Sequence, residues 1–195
     1  MKKWLLFLLP VLGVTIIGCG GSKPLQSADT GDIPDWYTNV PTDPNYLFAA
    51  RTETSQDMQL AVDKATAAAR GEIGSQLQVK IEGLQKRFTD ETGTGSDAQL
   101  LQSFTDAGKT VVSETLNGSK AKNQKIVKDG GLWRAYVLVQ YPLGAANEAL
   151  MQQIKNNNQM YTRLKASETY KELQDEVDKY DKSKQQEQAR PQPQH

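Results

Sequence analysis

The feature that most restricts the fold is a β-hairpin pattern between residues 120 and 141. Residues 132–141 (LWRAYVLVQY) are the strongest strand pattern in the chain. Its apolar face consists of Trp133, Ala135, Val137 and Val139. Asp129-Gly130-Gly131 is a hairpin turn signal before that strand. Residues 120–128 are polar and lysine-rich, which is typical of a strand at the edge of a sheet.

The segment before the hairpin predicts a strand and then an alanine-rich helix. Residues 46–51 form a short first strand, and Thr54 or Ser55 is a suitable helix N-cap. Small and apolar residues then recur at roughly helical spacing, namely Ala61, Ala65, Ala68, Ala69 and Ile73. Alanines on this face would let the helix backbone come close to the sheet.

The periodicity changes after this helix. Leu77, Val79 and Ile81 alternate with polar residues, which predicts a half-buried strand with a bulge at Gly83; a continuous helix through Arg87 is the alternative. Residues 89–97 read as a loop. Ser96 or Asp97 would cap a second helix whose apolar positions are Leu100, Leu101, Phe104, Ala107, Val111 and Val112.

The C-terminal part is helical in pattern. Residues 144–182 predict one helix or a pair of helices, with an interruption at residues 156–158 (NNN). The second half is rich in charges, so it must pack on the domain, pair with another chain or fray. Residues 183–195 are of low complexity and are expected to be disordered. The fold class is therefore α+β, a small antiparallel sheet against an Ala-rich helix with a long C-terminal helix.

The N-terminus is a leader that ends at the only cysteine. Lys2 and Lys3 precede an apolar core, and the small residue Gly18 precedes Cys19. This pattern is typical of a secretory signal, here residues 1–18, and its apolar core is too short and broken for a membrane span. Ile16-Ile17-Gly18-Cys19 resembles the lipobox of bacterial lipoproteins, in which the cysteine becomes the acylated N-terminus. An ordinary signal peptide with an accidental cysteine is the alternative.

Residues 19–32 are expected to form a lipidated, flexible tether. Gly20 replaces the aspartate that commonly retains Gram-negative lipoproteins at the inner membrane, so the pattern resembles outer-membrane cargo facing the periplasm. Beyond the tether, the prolines among residues 33–44 predict an extended segment that lays Trp36 onto the domain. The predicted interaction surface consists of Trp36, Tyr37, Trp133 and Tyr136.

The composition favours no catalytic chemistry. The chain has 195 residues with 23 basic and 23 acidic side chains, a balance that gives no reason to expect nucleic acid. With Cys19 acylated, no thiol remains, and the one histidine, His195, is the last residue. Asp90-Glu91 and Asp175-Glu176 read as solvated neighbours rather than acid–base pairs. We therefore expect no enzyme, no metal and no cofactor.

Taken in order, these segments resemble the Lpp-twenty-like family of bacterial outer-membrane lipoproteins over about residues 19–142. The resemblance is carried by the lipobox at Cys19, Pro34-Asp35-Trp36, the Ala-rich helix running into residues 77–81, and residues 133–139 of the hairpin. It implies a small α+β domain over residues 33–143 and no catalytic residue. Related domains occur in flagellar outer-membrane ring proteins.

The leading hypothesis is a non-enzymatic, lipid-anchored envelope protein that acts as a structural or protein-interaction module. Its expected partners are the membrane, through Cys19, and other envelope proteins, with a flagellar ring as one version and homo-oligomerisation through the C-terminal helix as another. The alternatives are a ligand-binding lipoprotein for glycans or lipids, and a surface protein that contacts host cells.

Overall fold

The computed structural model describes residues 33–188. This part contains three strands and six helices. The elements are α1 (Asp35–Thr38), β1 (Tyr46–Ser55), α2 (Met58–Thr92), α3 (Ala98–Gly118), β2 (Lys120–Asp129), β3 (Leu132–Pro142), α4 (Leu143–Asn156), α5 (Asn158–Leu164) and α6 (Glu168–Gln188).

The three strands form one antiparallel sheet in the order β1-β3-β2. The hairpin turn between β2 and β3 places Gly130 at a φ of 59°, a left-handed conformation that favours glycine. A register shift between Ala121 and Asn123 inserts an extra residue into β2. The predicted α+β class and the edge position of β2 are confirmed, and β3 is the central strand.

The two faces of the sheet are covered differently. On the helix face, the side chains of β3 and β1 join one hydrophobic core with α2; its sheet members are Leu47, Ala49, Ala135, Val137, Val139 and Tyr141. On the opposite face, which we call the outer face, Ala50, Tyr136 and Leu138 are also buried but lie outside that core. α1 contacts β3 and β1, and Tyr37 meets Tyr136 on this side.

The predicted strand at residues 77–81 is wrong, because α2 is one continuous helix from Met58 to Thr92. Leu77 and Ile81 are four residues apart and both are buried, as helical spacing requires, whereas Val79 is 69% exposed. Over this short run the polar–apolar alternation also fits a helix, because positions 77 and 81 fall on one helical face. The continuous helix that the sequence left as an alternative is confirmed.

α2 packs on two partners along its length. Its first half crosses the sheet with Ala61, Ala65 and Ala69, all fully buried, as the alanine pattern predicted. Its second half lies against α3, where the rings of Phe88 and Phe104 stand 5.6 Å apart. One long helix therefore joins the sheet to a helical layer.

Several boundaries differ from the sequence prediction. β1 runs through Ser55, so the N-cap of α2 is Asp57, whose carboxylate accepts from the backbone N–H of Leu60 at 2.7 Å, rather than Thr54 or Ser55. The predicted loop at residues 89–97 begins late, because α2 continues to Thr92 and ends at Gly93 with a φ of 66°. Asp97 caps α3 as predicted.

The segment predicted as one or two helices contains three. The asparagine run is the first break, where Asn157 ends α4 and its side chain caps α5. The shared core includes Leu150, Ile154, Leu164, Leu173 and Val177 from these helices. The apolar stripe of α6 is therefore covered within the chain.

The flanks also depart from expectation. Asp35–Thr38 is a single helical turn rather than an extended segment, since the backbone N–H of Asn39 bonds to the carbonyl of Asp35 at 2.8 Å. At the other end, α6 continues to Gln188 through part of the segment predicted to be disordered. The predicted signal peptide (1–18), the predicted tether (19–32) and residues 189–195 lie outside the described residues.

Candidate functional site

The four predicted aromatic residues do not form one surface. Tyr37 and Tyr136 meet edge-on on the outer face, with ring centroids 5.0 Å apart and planes at 74°. Trp133 is on the helix face of β3, opposite Lys128, whose amine lies 5.0 Å from a ring centroid of that tryptophan. Trp36 is half-buried on α1. Only the tyrosines are brought into contact, and this contact fixes α1 on the central strand.

A basic strip lies on the outer face beside these tyrosines. Lys125 is paired with Tyr136, and Lys120 with Gln140, so both lie on this face. The amine of Lys122, at the bulge, stands 5.1 Å above the ring of Phe48. Arg134 completes the strip and bonds to Asp129 at 2.6 Å. That hydrogen bond and charge raise the pKa of Arg134, so the guanidinium stays protonated.

A groove of about 550 Å³ runs between α2 and α3. Its apolar floor consists of Ile81, Gly108, Val112 and Leu116. The helices approach closely here, because a Cβ atom on Gly108 would come within 2.8 Å of Ile81 Cγ2. The amide of Gln85 also donates to the carbonyl of Leu101 at 3.1 Å across the two helices.

The rim of this groove is polar and carries both signs of charge. It is formed by Gln78, Glu82, Gln85, Thr105, Lys109 and Ser113. An apolar floor with a polar rim is the composition that protein-binding surfaces commonly have. This groove was not predicted from the sequence, and the one local signal for it is Gly108 within the apolar stripe of the second predicted helix.

A second, more polar cavity of about 660 Å³ lies where the ends of β1 and β3 meet α4 and α6. Tyr180 lines it, and burial raises the pKa of its hydroxyl. Lys184 lines it too and bonds to Asp181 at 2.8 Å and to Glu148 at 2.9 Å, which raises the pKa of Lys184. These charges satisfy one another and hold α6 on α4.

In each of the adjacent carboxylate pairs, Asp90-Glu91 and Asp175-Glu176, the glutamate accepts hydrogen bonds that join two helices. Glu91 accepts hydrogen bonds from both the hydroxyl and the backbone N–H of Thr169, in the first turn of α6. These bonds lower the pKa of Glu91. Glu176 accepts from the amide of Asn147 at 2.6 Å. All four carboxylate residues are exposed, and within residues 33–188 the side chains of Asp90 and Asp175 accept no hydrogen bond.

Two further observations concern residues 33–188 only. None of their helices is long and apolar enough to cross a membrane. In the same stretch, no group of three or more histidine, cysteine, aspartate or glutamate side chains is arranged to hold a metal ion. Cys19 and His195 lie outside the described residues.

No protein-family model matches the chain, and no curated protein matches its sequence. The resemblance to Lpp-twenty-like lipoproteins thus stays a prediction from the residues named above. None of the geometry described here depends on it.

Proposed function

We propose that this protein is a lipid-anchored component of the bacterial cell envelope that binds other proteins and has no enzymatic activity. The observation that carries the proposal is the position of Cys19, the only cysteine, directly behind an apolar leader and Gly18. Acylation there places the folded part at the end of a short tether. Gly20 favours delivery to the outer membrane, with the protein facing the periplasm.

The groove between α2 and α3 supports the interaction role. It joins an apolar floor to a rim whose charges, Glu82 and Lys109, can orient a partner. The expected partner is another envelope protein. A flagellar ring protein is the concrete version that the family resemblance suggests.

Photo-crosslinking in intact cells tests this role. A photoreactive amino acid at Gln78 or Ser113, both exposed on the groove rim, is expected to capture the same envelope protein. A matched probe at Lys155, exposed on α4, should not. If rim and control positions capture the same mixture, the groove is not the binding surface.

The membrane assignment has a separate test. Replacement of Gly20 by aspartate should move the protein from the outer-membrane to the inner-membrane fraction of a density gradient. An unchanged distribution would contradict outer-membrane sorting by this residue.

Ligand binding is the second candidate function. The cavity beside Tyr180, rather than a pocket formed by the four predicted aromatic residues, is the site that favours it. Its lining combines Tyr46 and Tyr180 with polar groups such as Asn147, which suits a glycan or a polar lipid headgroup. A ligand should raise the melting temperature of the protein, because binding stabilises only the folded state. If panels of glycans and lipids leave that temperature unchanged, this candidate is excluded for those compounds.

Homo-oligomerisation through α6 is a weaker version of the proposal, since Leu173 and Val177 of its apolar stripe are buried within the chain. A self-association would use the exposed, charged side of this helix. Light scattering after gel filtration measures the mass directly.

A further inference from the structure

We propose that the outer face of the sheet is an electrostatic docking surface for an anionic phospholipid bilayer. Its basic strip consists of Lys120, Lys122, Lys125 and Arg134. The inference rests on the proposed anchor at Cys19, which would hold the protein close to such a bilayer.

The charge on this face is strongly biased. Strand pairing places Lys120, Lys125 and Arg134 on the outer face, and the contact with Phe48 places Lys122 there. The one carboxylate that the strands add on this face is Asp129, the partner of Arg134. Among the described residues, Lys120, Lys122 and Lys125 form no ion pair with a carboxylate. The outer-face residues of β1, from Tyr46 to Thr54, carry no charge. Outside the strands, the carboxylate closest in sequence to Tyr37 is that of Asp35, on α1.

The predicted tether would join the described chain on this same face. The contact between Tyr37 and Tyr136 places the start of the described chain on the outer face. Thirteen residues separate Cys19 from Ile33. For the flexible tether that the sequence predicts, this length gives an end-to-end distance of about 20 Å. An anchor at Cys19 would then keep the strip within a few nanometres of the lipid headgroups.

A weak attraction between the lysines and the bilayer is sufficient for docking when the protein is already anchored. A lysine near an anionic bilayer contributes about fivefold to the bound-to-free ratio at low salt, and an anchor makes the docking step intramolecular. Lysines also protect an edge strand from pairing with other chains. That role explains lysines on β2, but it predicts no difference between neutral and anionic membranes.

The test uses the chain from Cys19 to His195, which contains every described residue. The single thiol is coupled to a maleimide lipid in vesicles, so the anchor is present whether or not cells acylate Cys19. One set of vesicles is pure phosphatidylcholine and the other contains 30% phosphatidylglycerol. Acetylation rates of individual lysines are then measured by mass spectrometry.

We expect Lys120, Lys122 and Lys125 to react severalfold more slowly on the anionic vesicles, and this protection to disappear at about 0.5 M salt. Lys86 on α2 and Lys155 on α4 are exposed and serve as internal controls. K122Q/K125Q should abolish the protection of Lys120, whereas K86Q/K155Q removes the same charge and should not.

Equal rates on both kinds of vesicle, or equal protection of Lys86 and Lys155, would overturn the proposal. Protection by polyglutamate but not by phosphatidylglycerol would also overturn it, in favour of an acidic polymer. These outcomes leave the assignment of Cys19 as a lipid anchor intact, because the acyl group on the cellular protein is measured separately.

Discussion

The ring of Tyr37 packs edge-on against the ring of Tyr136, with centroids 5.0 Å apart. One ring belongs to the first helical turn of the described chain and the other to the central strand. The contact therefore joins α1, which follows the predicted tether in sequence, to the middle of the sheet. It holds the start of the described chain against the outer face.

Replacement of Tyr37 by alanine should lower the free energy of unfolding, because it removes this aromatic contact. A double-mutant cycle with Tyr136→Leu should give a coupling of about 0.5–1.5 kcal/mol in urea unfolding. Tyr37→Phe retains the ring and is the matched control. A coupling indistinguishable from zero would show that α1 is not held by this pair.

Close approach of α2 and α3 depends on Gly108. A methyl group there would meet Ile81 Cγ2 at 2.8 Å, so Gly108→Ala should destabilise the protein by about 1–3 kcal/mol through overpacking. Gly71→Ala, in α2, is the control, because nothing lies within 4 Å of its Cβ position. It should stabilise the protein by about 0.5–1 kcal/mol. Equal effects in denaturant unfolding would contradict the packing described.

The sheet could be predicted from the sequence because its signals are local. The hairpin turn at Gly130 and the apolar face of β3 lie within about twenty residues of each other, and both were correct. The error at residues 77–81 arose because a five-residue alternation fits a strand and a helix equally well. The burial of Leu77 and the packing of Ile81 against Gly108 of α3 decide between them, and both depend on residues far along the chain.

The candidate sites were predicted less well than the sheet, for two different reasons. Trp133 and Tyr136 are three residues apart in one strand, so they point to opposite faces, and a common surface was incompatible with the predicted strand itself. The groove between α2 and α3 exists only where two helices meet. Its lining comes from residues 78–85 and 105–116, and no local pattern joins these segments.

The N-terminus of α6 should be sensitive to acid. Hydrogen bonds from Thr169 lower the pKa of Glu91, so the folded state favours the ionised carboxylate. That stabilisation is present above the ordinary pKa of 4.5 and is lost as the pH falls through the lowered value. Glu91→Gln should therefore lower the melting temperature at pH 7 and have a smaller effect near pH 3.

Asp90→Asn is the control for this experiment, since Asp90 is exposed like Glu91 but does not bond to Thr169. It should change the melting temperature little at either pH. A Glu91→Gln effect of the same size at both pH values would mean that the carboxylate charge does not contribute to the contact with Thr169.

The docking of α6 on α4 depends on Gly144, whose missing side chain leaves room for the ring of Tyr180. Gly144→Ala should force that ring away and reduce the free energy of unfolding by about 1–3 kcal/mol. Amide hydrogen exchange should then quicken in α6 more than in β3. Tyr180→Ala removes the ring that the methyl group would meet, so Gly144→Ala should cost little in a Tyr180→Ala background. An undiminished cost in that background would contradict this explanation.

The proposed lipid anchor depends most directly on the chemical state of Cys19. The measurement that tests it is mass spectrometry of the N-terminal peptide of the protein extracted from cell envelopes, with Cys19→Ser as the unprocessed control. We predict a peptide that begins at Cys19 and carries the mass of a diacylglyceryl group with a further acyl chain. A peptide that begins at Met1, or one that contains Cys19 without acyl groups, would contradict the lipid anchor.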